Sequence, residues 1–265
     1  MPDAAARFSG VADEYDAVRP QPPADLIALI TQWAGRARPD VVDLGAGTGL
    51  SAVAWAGRAR QVIAVEPSEG MRRRAERRTG AAAVGSGTRF TVLDATAEAT
   101  GLPDGCADVV TASQAMHWFD PDRALPEIAR LLRPGGVLAA YDCDWPPCID
   151  GQTGAAWAQV ASRVDAEQAR RGLAPVHGGK DHLGRLAGSG LFRHCELLAA
   201  VGREQGDADR LVAVAFSAIN HAADFLADGC TEDDLGLTAL REVAAQRLPY
   251  PRTWWWTYRV YLAVR

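Results

Sequence analysis

One glycine-rich turn and three acidic residues carry the first chemical signal in this 265-residue chain. Asp43-Leu44-Gly45-Ala46-Gly47-Thr48-Gly49 follows the apolar run Val41 to Leu44 and precedes a helix-like stretch from Leu50 to Ala59. Glycines there let the chain turn tightly and let backbone N–H groups approach a ligand closely. Their spacing is G-x-G-x-G. A dinucleotide fingerprint, G-x-G-x-x-G, has its third glycine one residue later, where it packs helix on strand. The turn also opens on a carboxylate, which repels a phosphate and attracts an ammonium or a sulfonium. Glu66 ends the next apolar run, a position from which a carboxylate can accept paired hydrogen bonds from ribose hydroxyls. Asp94 ends the third run, and a ligand with ammonium, ribose and adenine groups fits that row of acids.

Such a row needs adjacent parallel strands. The runs Val62 to Val65, Phe90 to Leu93, Val109 to Thr111 and Val137 to Tyr141 continue the series begun at Val41. Helical patterns lie between them: Met71 to Arg78 behind Ser68 as N-cap, and Arg123 to Leu132, stopped by Pro134-Gly135-Gly136. Short apolar strands alternating with helices read as a parallel α/β sheet, whose ligands bind beyond the carboxyl ends of the strands. After Tyr141 the pattern changes. Trp157 to Arg171 and Lys180 to Leu191 read as helices and Phe192 to Val201 as a strand. Asp207 to Leu248 is helical with a break near Gly229 and a restart at Thr231 and Glu232, and Trp254 to Val264 is an aromatic, β-branched strand. The expectation is a single domain over 1–265, with a cofactor-covering segment at 1–36, a cofactor-binding core at 37–145, and helical cap insertions at 146–191 and 202–253.

Composition narrows the partners. The chain is 48% hydrophobic and 23% charged with a net charge of −5, which suits a soluble globular protein and offers no overall positive field to nucleic acid or an anionic membrane. The N-terminus carries charges where a signal peptide has its apolar stretch, so a cytoplasmic location is expected. Five scattered cysteines read as free thiols.

The ordered series VVDLGAGTG, IAVEPSEGM, LDATAEATGLPDG, QAMHWFD and LLRPGG resembles the class I S-adenosylmethionine-dependent methyltransferases, in the small-molecule branch called methyltransferase type 11. The resemblance spans roughly residues 7 to 145. It implies a Rossmann-like seven-stranded sheet with the last strand antiparallel, and S-adenosylmethionine as cofactor. It implies that Gly45, Gly47 and Gly49 face the methionine part, with Asp43, Ala46, Pro67, Met71 and Gln114 around the same ligand. Glu66 would hold the ribose, and Asp94 with Ala95 the adenine. Phe8, Tyr15, Arg19 and Pro20 resemble the segment that closes over the cofactor, which would place Tyr15 near the transferable methyl. The alternative is an amphipathic helix that packs on the core.

Gln114 to Phe119 resembles the segment found in relatives of trans-aconitate methyltransferase. His117 there is a candidate general base, because its ordinary pKa lies near neutrality; the competing role is pocket wall. Arg19 is placed to pair with an acidic acceptor. Eight tryptophans are present, and Trp118, Trp145 and Trp255 are the candidates for contact with the acceptor. In an alternating strand only one or two of Trp254, Trp255 and Trp256 can share a side. Arg72 to Arg74 with Arg77 and Arg78 read as a solvated helix surface. His177 and His182 flank glycines that break helical spacing, so no metal site is expected, even with Cys143, Cys148 or His221 in reach.

The expected activity is methyl transfer to a small-molecule acceptor in secondary metabolism, with O-methylation favoured over C- or N-methylation of a heterocycle such as an indole. An NAD-dependent oxidoreductase and a non-catalytic cofactor-binding module are the more distant alternatives.

Overall fold

The computed structural model describes residues 18–173, 181–219 and 221–265. Seven strands form one sheet: β1 (Asp40–Leu44), β2 (Gln61–Val65), β3 (Arg89–Leu93), β4 (Ala107–Ser113), β5 (Leu132–Cys143), β6 (His194–Gly206) and β7 (Arg252–Val264), in the order β3-β2-β1-β4-β5-β7-β6. The first five pair in parallel, and β7 runs antiparallel between β5 and β6. This is the Rossmann-like fold with an antiparallel last strand that the resemblance implied. β1 is buried along its whole length, as a central strand covered on both faces must be. The chain leaves β1 toward β2 on one side and later returns to β4 on the other. The switch point between them is where an open α/β sheet parts to receive a ligand.

Helices cover both faces. One face packs against α1 (Ala24–Ala34), the short α2 (Leu50–Val53), α5 (Gly151–Arg170), α7 (Ala208–Ala218), α8 (Ala222–Ala227), α9 (Glu232–Leu235) and α10 (Leu237–Arg247). The other packs against α4 (Pro121–Leu131) and α6 (His182–Gly188). α3 (Glu69–Ala83) turns Met71, Ala75 and Thr79 inward. Local chemistry starts these helices: the Asp120 carboxylate accepts from the Asp122 N–H ahead of α4, Asp150 and Thr153 form a capping box on α5, and Asp181 caps α6.

Several boundaries differ from the sequence reading. The helix expected from Leu50 to Ala59 ends at Val53 and continues as turns, in which Gly57 adopts a positive φ of 74°. The expected Lys180 to Leu191 helix shortens to His182–Gly188. β5 starts at Leu132, so Pro134-Gly135-Gly136 lies inside it. β6 runs to Gly206, so the second insertion begins at 207 instead of 202. Among the described residues its helical stretch also divides where α7 ends at Ala218 and α8 starts at Ala222, and at Gly236, as well as near Gly229. Ser68 occupies the N-cap position of α3 without a side-chain capping bond.

The tryptophans at the start of β7 alternate as strand geometry requires: Trp254 and Trp256 are buried, while Trp255 is 46% exposed. Trp254 lies so close to β6 that a Cβ on Gly206 would stand 2.2 Å from its ring. Among the described residues, no helix is long and apolar enough to cross a membrane.

Candidate functional site

A cleft of about 250 Å³ opens at the switch point. The turn after β1 supplies Gly45, Ala46, Gly47 and Thr48; the end of β2 supplies Glu66, Pro67 and Ser68, with Met71 behind them. Gln114, Ala115, Trp118 and Phe119 come from the end of β4 and the single helical turn Met116–Trp118, and Arg19 closes the near side.

The three glycines do different things. A Cβ on Gly45 would lie 2.7 Å from the Ala115 Cβ, so its absence lets the turn approach the end of β4. Gly47, at φ 57°, has nothing within 4 Å of a built Cβ, and its N–H is turned to Glu66. Gly49 was expected to face the ligand. It lies outside the lining, and its missing Cβ lets α2 approach α3, where Ala75 Cα would be 3.1 Å away.

Glu66 is buried, and its two carboxylate oxygens accept from the Gly47 and Ser68 N–H groups at 2.9 Å each. Burial raises its pKa, while those two N–H groups and the Arg72 guanidinium oppose the rise. Each carboxylate oxygen has two lone pairs, so Glu66 keeps acceptor capacity for a diol in the cleft. Asp43 is placed differently from the expectation. It is fully buried behind the turn and outside the lining. Its Oδ1 accepts from the hydroxyls of Thr111 at 2.6 Å and Ser51 at 3.2 Å, and Oδ2 has no hydrogen-bond partner among the described residues. Burial pushes Asp43 up to about 7 against the pull of those hydroxyls, with a further push from Glu66.

Asp94 and Ala95 also lie outside the lining. Asp94 is largely exposed and pairs with Arg72 at 2.8 Å, and the wall beyond β3 is made instead by Thr96, Ala97 and Glu98. The arginines of α3 are not simply a solvated surface. Arg72 also reaches the Glu66 carbonyl, and Arg78 donates to the Thr48 carbonyl and hydroxyl at 2.8 Å, which fastens the glycine turn to the helix. Sequence spacing carried no sign of that contact.

Arg19 lines the cleft and is held by the Gln114 Oε1 at 3.2 Å and by the Ser217 hydroxyl and carbonyl at 3.0 and 2.8 Å. Its guanidinium carbon stands 4.6 Å from the Trp145 ring centroid. Ser217 lies in the last turn of α7, so the inserted helices bear on the cleft through Arg19. Trp145 therefore supports the wall from behind. Trp255 lies outside the lining beside Arg203, and Trp118, at 39% exposed, is the tryptophan of the expected acceptor set that reaches the cleft. Tyr15, Phe8 and His177 fall outside the described residues.

His117 is also outside the lining. Its Nδ1 faces Asp142 Oδ1 at 4.0 Å, and Asp142 Oδ2 faces His182 Nε2 at 3.6 Å. His182 thus meets partners other than His177 and the cysteines. Asp142, hidden at the end of an apolar run, was not singled out by the sequence reading.

Comparison with known proteins places this geometry. Residues 42–140 match the family described as methyltransferase domain. An uncharacterized methyltransferase of Mycobacterium tuberculosis is 38% identical over 139 residues, 51% of each chain. A demethylmenaquinone methyltransferase of Thermobifida fusca is 35% identical over 146 residues, 51% of this chain and 59% of that one. The chain thus matches only about half the length of such relatives. The solved structure of a putative type II methyltransferase from Anaeromyxobacter dehalogenans aligns over 93% of this chain and 97% of its own, with a TM-score of 0.67 and 26% identity. The glycine turn, Glu66 and the end of β4 all lie within the matched segment, so much of the cleft is built from the residues by which this chain is similar to the methyltransferase domain.

Proposed function

We propose that this protein transfers the methyl group of S-adenosylmethionine to a small-molecule acceptor, with O-methylation of an acidic acceptor in secondary metabolism as the favoured reaction. The observation that carries the reading is the convergence on one cleft of the glycine turn, the Glu66 carboxylate and the end of β4. The donor set suits the cofactor: Glu66 retains lone pairs for ribose hydroxyls, and the open face of Gly47 leaves room for close approach to the backbone. Bound S-adenosylmethionine supplies an electrophilic methyl on a sulfonium.

The chain's own residues would hold, orient and exclude water. Pro67 and Met71 wall the ribose side, and Thr96 to Glu98 take the adenine side in place of Asp94 and Ala95. Trp118 and Phe119 shield the acceptor end. Arg19 is the cationic side chain of that lining among the described residues, fixed by Gln114 and Ser217, and it would pair with an acceptor carboxylate. A carboxylate needs no base, because it is already anionic near neutrality. That fits a site in which His117 is turned toward Asp142, and it assigns His117 to support of the wall and not to proton removal. Tyr15 is retained as a candidate at the methyl from the resemblance alone. The likeness to a demethylmenaquinone methyltransferase supports a small acceptor, and the net charge of −5 argues against nucleic acid. The reading treats the chain as one domain, whose inserted helices shape the acceptor end through Ser217.

The test is incubation with methyl-labelled S-adenosylmethionine and a panel of carboxylic acids, phenols and indoles. Base-labile label in an acid supports the favoured reaction, whereas base-stable label in an indole moves the reading to C- or N-methylation. Tight NAD binding with no binding of S-adenosylhomocysteine overturns it, and cofactor binding without transfer to any acceptor leaves a binding module.

A further inference from the structure

We propose that His117, Asp142 and His182 form a binding site for one divalent transition-metal ion of the zinc class, separate from the cofactor cleft and independent of whether the chain transfers methyl groups. Three elements distant in sequence bring these side chains together: the turn after β4 carries His117, the end of β5 carries Asp142, and the first residue of α6 is His182. One ligand atom from each lies within 4.8 Å of the other two.

The spacing favours an ion. At 4.0 and 3.6 Å the contacts to Asp142 are too long for hydrogen bonds, which end near 3.2 Å for N–H···O. They are close to the span of two atoms that share a third. Ligands about 2.0 to 2.2 Å from a tetrahedral zinc ion stand about 3.3–3.6 Å apart, so the two Asp142 contacts are near that span, and the widest pair, within 4.8 Å, would close by about 1.5 Å at most on binding. Burial points the same way. The Asp142 and His182 side chains are 5% and 1% exposed, so an ion held between them would sit largely out of water, where the pull of the carboxylate on it is strong.

The donor types choose the metal. Two imidazole nitrogens and one carboxylate oxygen suit zinc, cobalt, iron or nickel better than magnesium or calcium, which prefer oxygen throughout. The imidazole of His182 is oriented by the Tyr261 ring, edge-on at 5.1 Å. His117 is the most exposed of the three at 16%, so a fourth ligand, water or a small anion, would reach the ion from its side. The ion would pin the α6 insertion to the end of β5 and fix the turn that places Trp118 in the cleft.

Titration of the chelator-treated full chain with Co²⁺ and with Zn²⁺ tests this. The expected result is one equivalent bound, with visible Co²⁺ absorption of the four- or five-coordinate kind and a rise in melting temperature. Asp142→Asn and His182→Gln should each weaken that binding by about 100-fold or more. Melting curves of the metal-free proteins establish that the variants are folded; should the two buried substitutions unfold the chain, His117→Gln on the exposed side provides the comparison. No stoichiometric binding by the wild-type protein overturns the proposal. So does binding that these substitutions leave unchanged, and the cluster is then a charge pairing between Asp142 and its histidines.

Discussion

The two halves of the sheet hold buried carboxylates in opposite ways. At the ends of β1 and β2, Asp43 accepts from the Thr111 and Ser51 hydroxyls and Glu66 accepts from two backbone N–H groups. Neutral donors fix both groups through dipoles, and Glu66, the one of the two that lines the cleft, stays available to a ligand that brings hydroxyl groups. At the end of β5, Asp142 faces two imidazoles at distances that leave room for one atom between them. That half offers a ligand set in place of a dipolar cradle. The Glu66 bonds are the more local in sequence, whereas Asp43 depends on Thr111 of β4 and the Asp142 cluster is made only when β4, β5 and α6 meet.

The largest test asks whether the halves are mechanically separate. Trp254 is fully buried at the start of β7, fits against Gly206, and lies beneath Arg210. Trp254→Ala should cost about 3–5 kcal/mol of stability, the usual range for a buried aromatic truncated to Ala, read from urea unfolding. Where the variant remains folded, its affinity for S-adenosylhomocysteine should stay within about twofold of wild type, since Trp254 does not line the cleft. A tenfold loss of affinity would show that the C-terminal core sets the cleft geometry and would erase the distinction.

Next in size is a pH effect confined to the cleft half. Asp43 has its pKa raised from 3.8 to about 7 by burial, so the folded chain keeps a proton that the unfolded chain has lost over that interval. This contribution is fully present below about pH 4 and disappears as the pH rises through 7. Its full span is about 4 kcal/mol. Asp43→Asn removes the titration while keeping an oxygen for the Ser51 and Thr111 hydroxyls. The difference in unfolding free energy between variant and wild type should therefore shift in favour of the variant from pH 5 to pH 8. Other titrating groups cancel in that difference. A flat difference would mean that Asp43 is ionised throughout and that its hydroxyl partners outweigh burial.

Most of the fold could be read from the chain because a buried parallel strand announces itself as an unbroken apolar run, and Val41, Val62 and Val109 each begin or sit in one. The glycine turn, Glu66 and Gln114 could be read for the same reason, since a strand end followed by a turn fixes where a residue lies relative to the sheet edge. Asp94 misled because the position at the end of β3 is right but the side chain finds Arg72 in solvent. His117 misled because a one-residue step along a tight turn decides which way a side chain points: Trp118 enters the cleft and His117 leaves it. Trp145 and Trp255 were grouped with Trp118 by type, and only packing separates them. Arg78 on Thr48, Ser217 on Arg19 and His182 on Asp142 are contacts across long stretches of chain, for which neither period nor motif gives a sign.

The smallest expected effect separates the two halves most cleanly. Glu66→Ala deletes the acceptor for the Gly47 and Ser68 N–H groups, but both face a cleft that water can enter, so the turn should survive. What is lost is the acceptor for the cofactor ribose, and affinity for S-adenosylhomocysteine should fall about 10- to 100-fold, or about 1.4–2.7 kcal/mol. Glu66→Gln keeps one acceptor oxygen and turns an amide toward one of the two N–H donors, so it should fall between wild type and Glu66→Ala. Neither change should alter Co²⁺ binding, because the metal ligands come from other strand ends. Asp142→Asn should produce the converse, with loss of Co²⁺ and nearly unchanged homocysteine-nucleoside affinity. If Glu66→Ala weakened both ligands together, the turn after β1 and the end of β5 would have to respond as one unit, coupled through the β4 strand that lies between them.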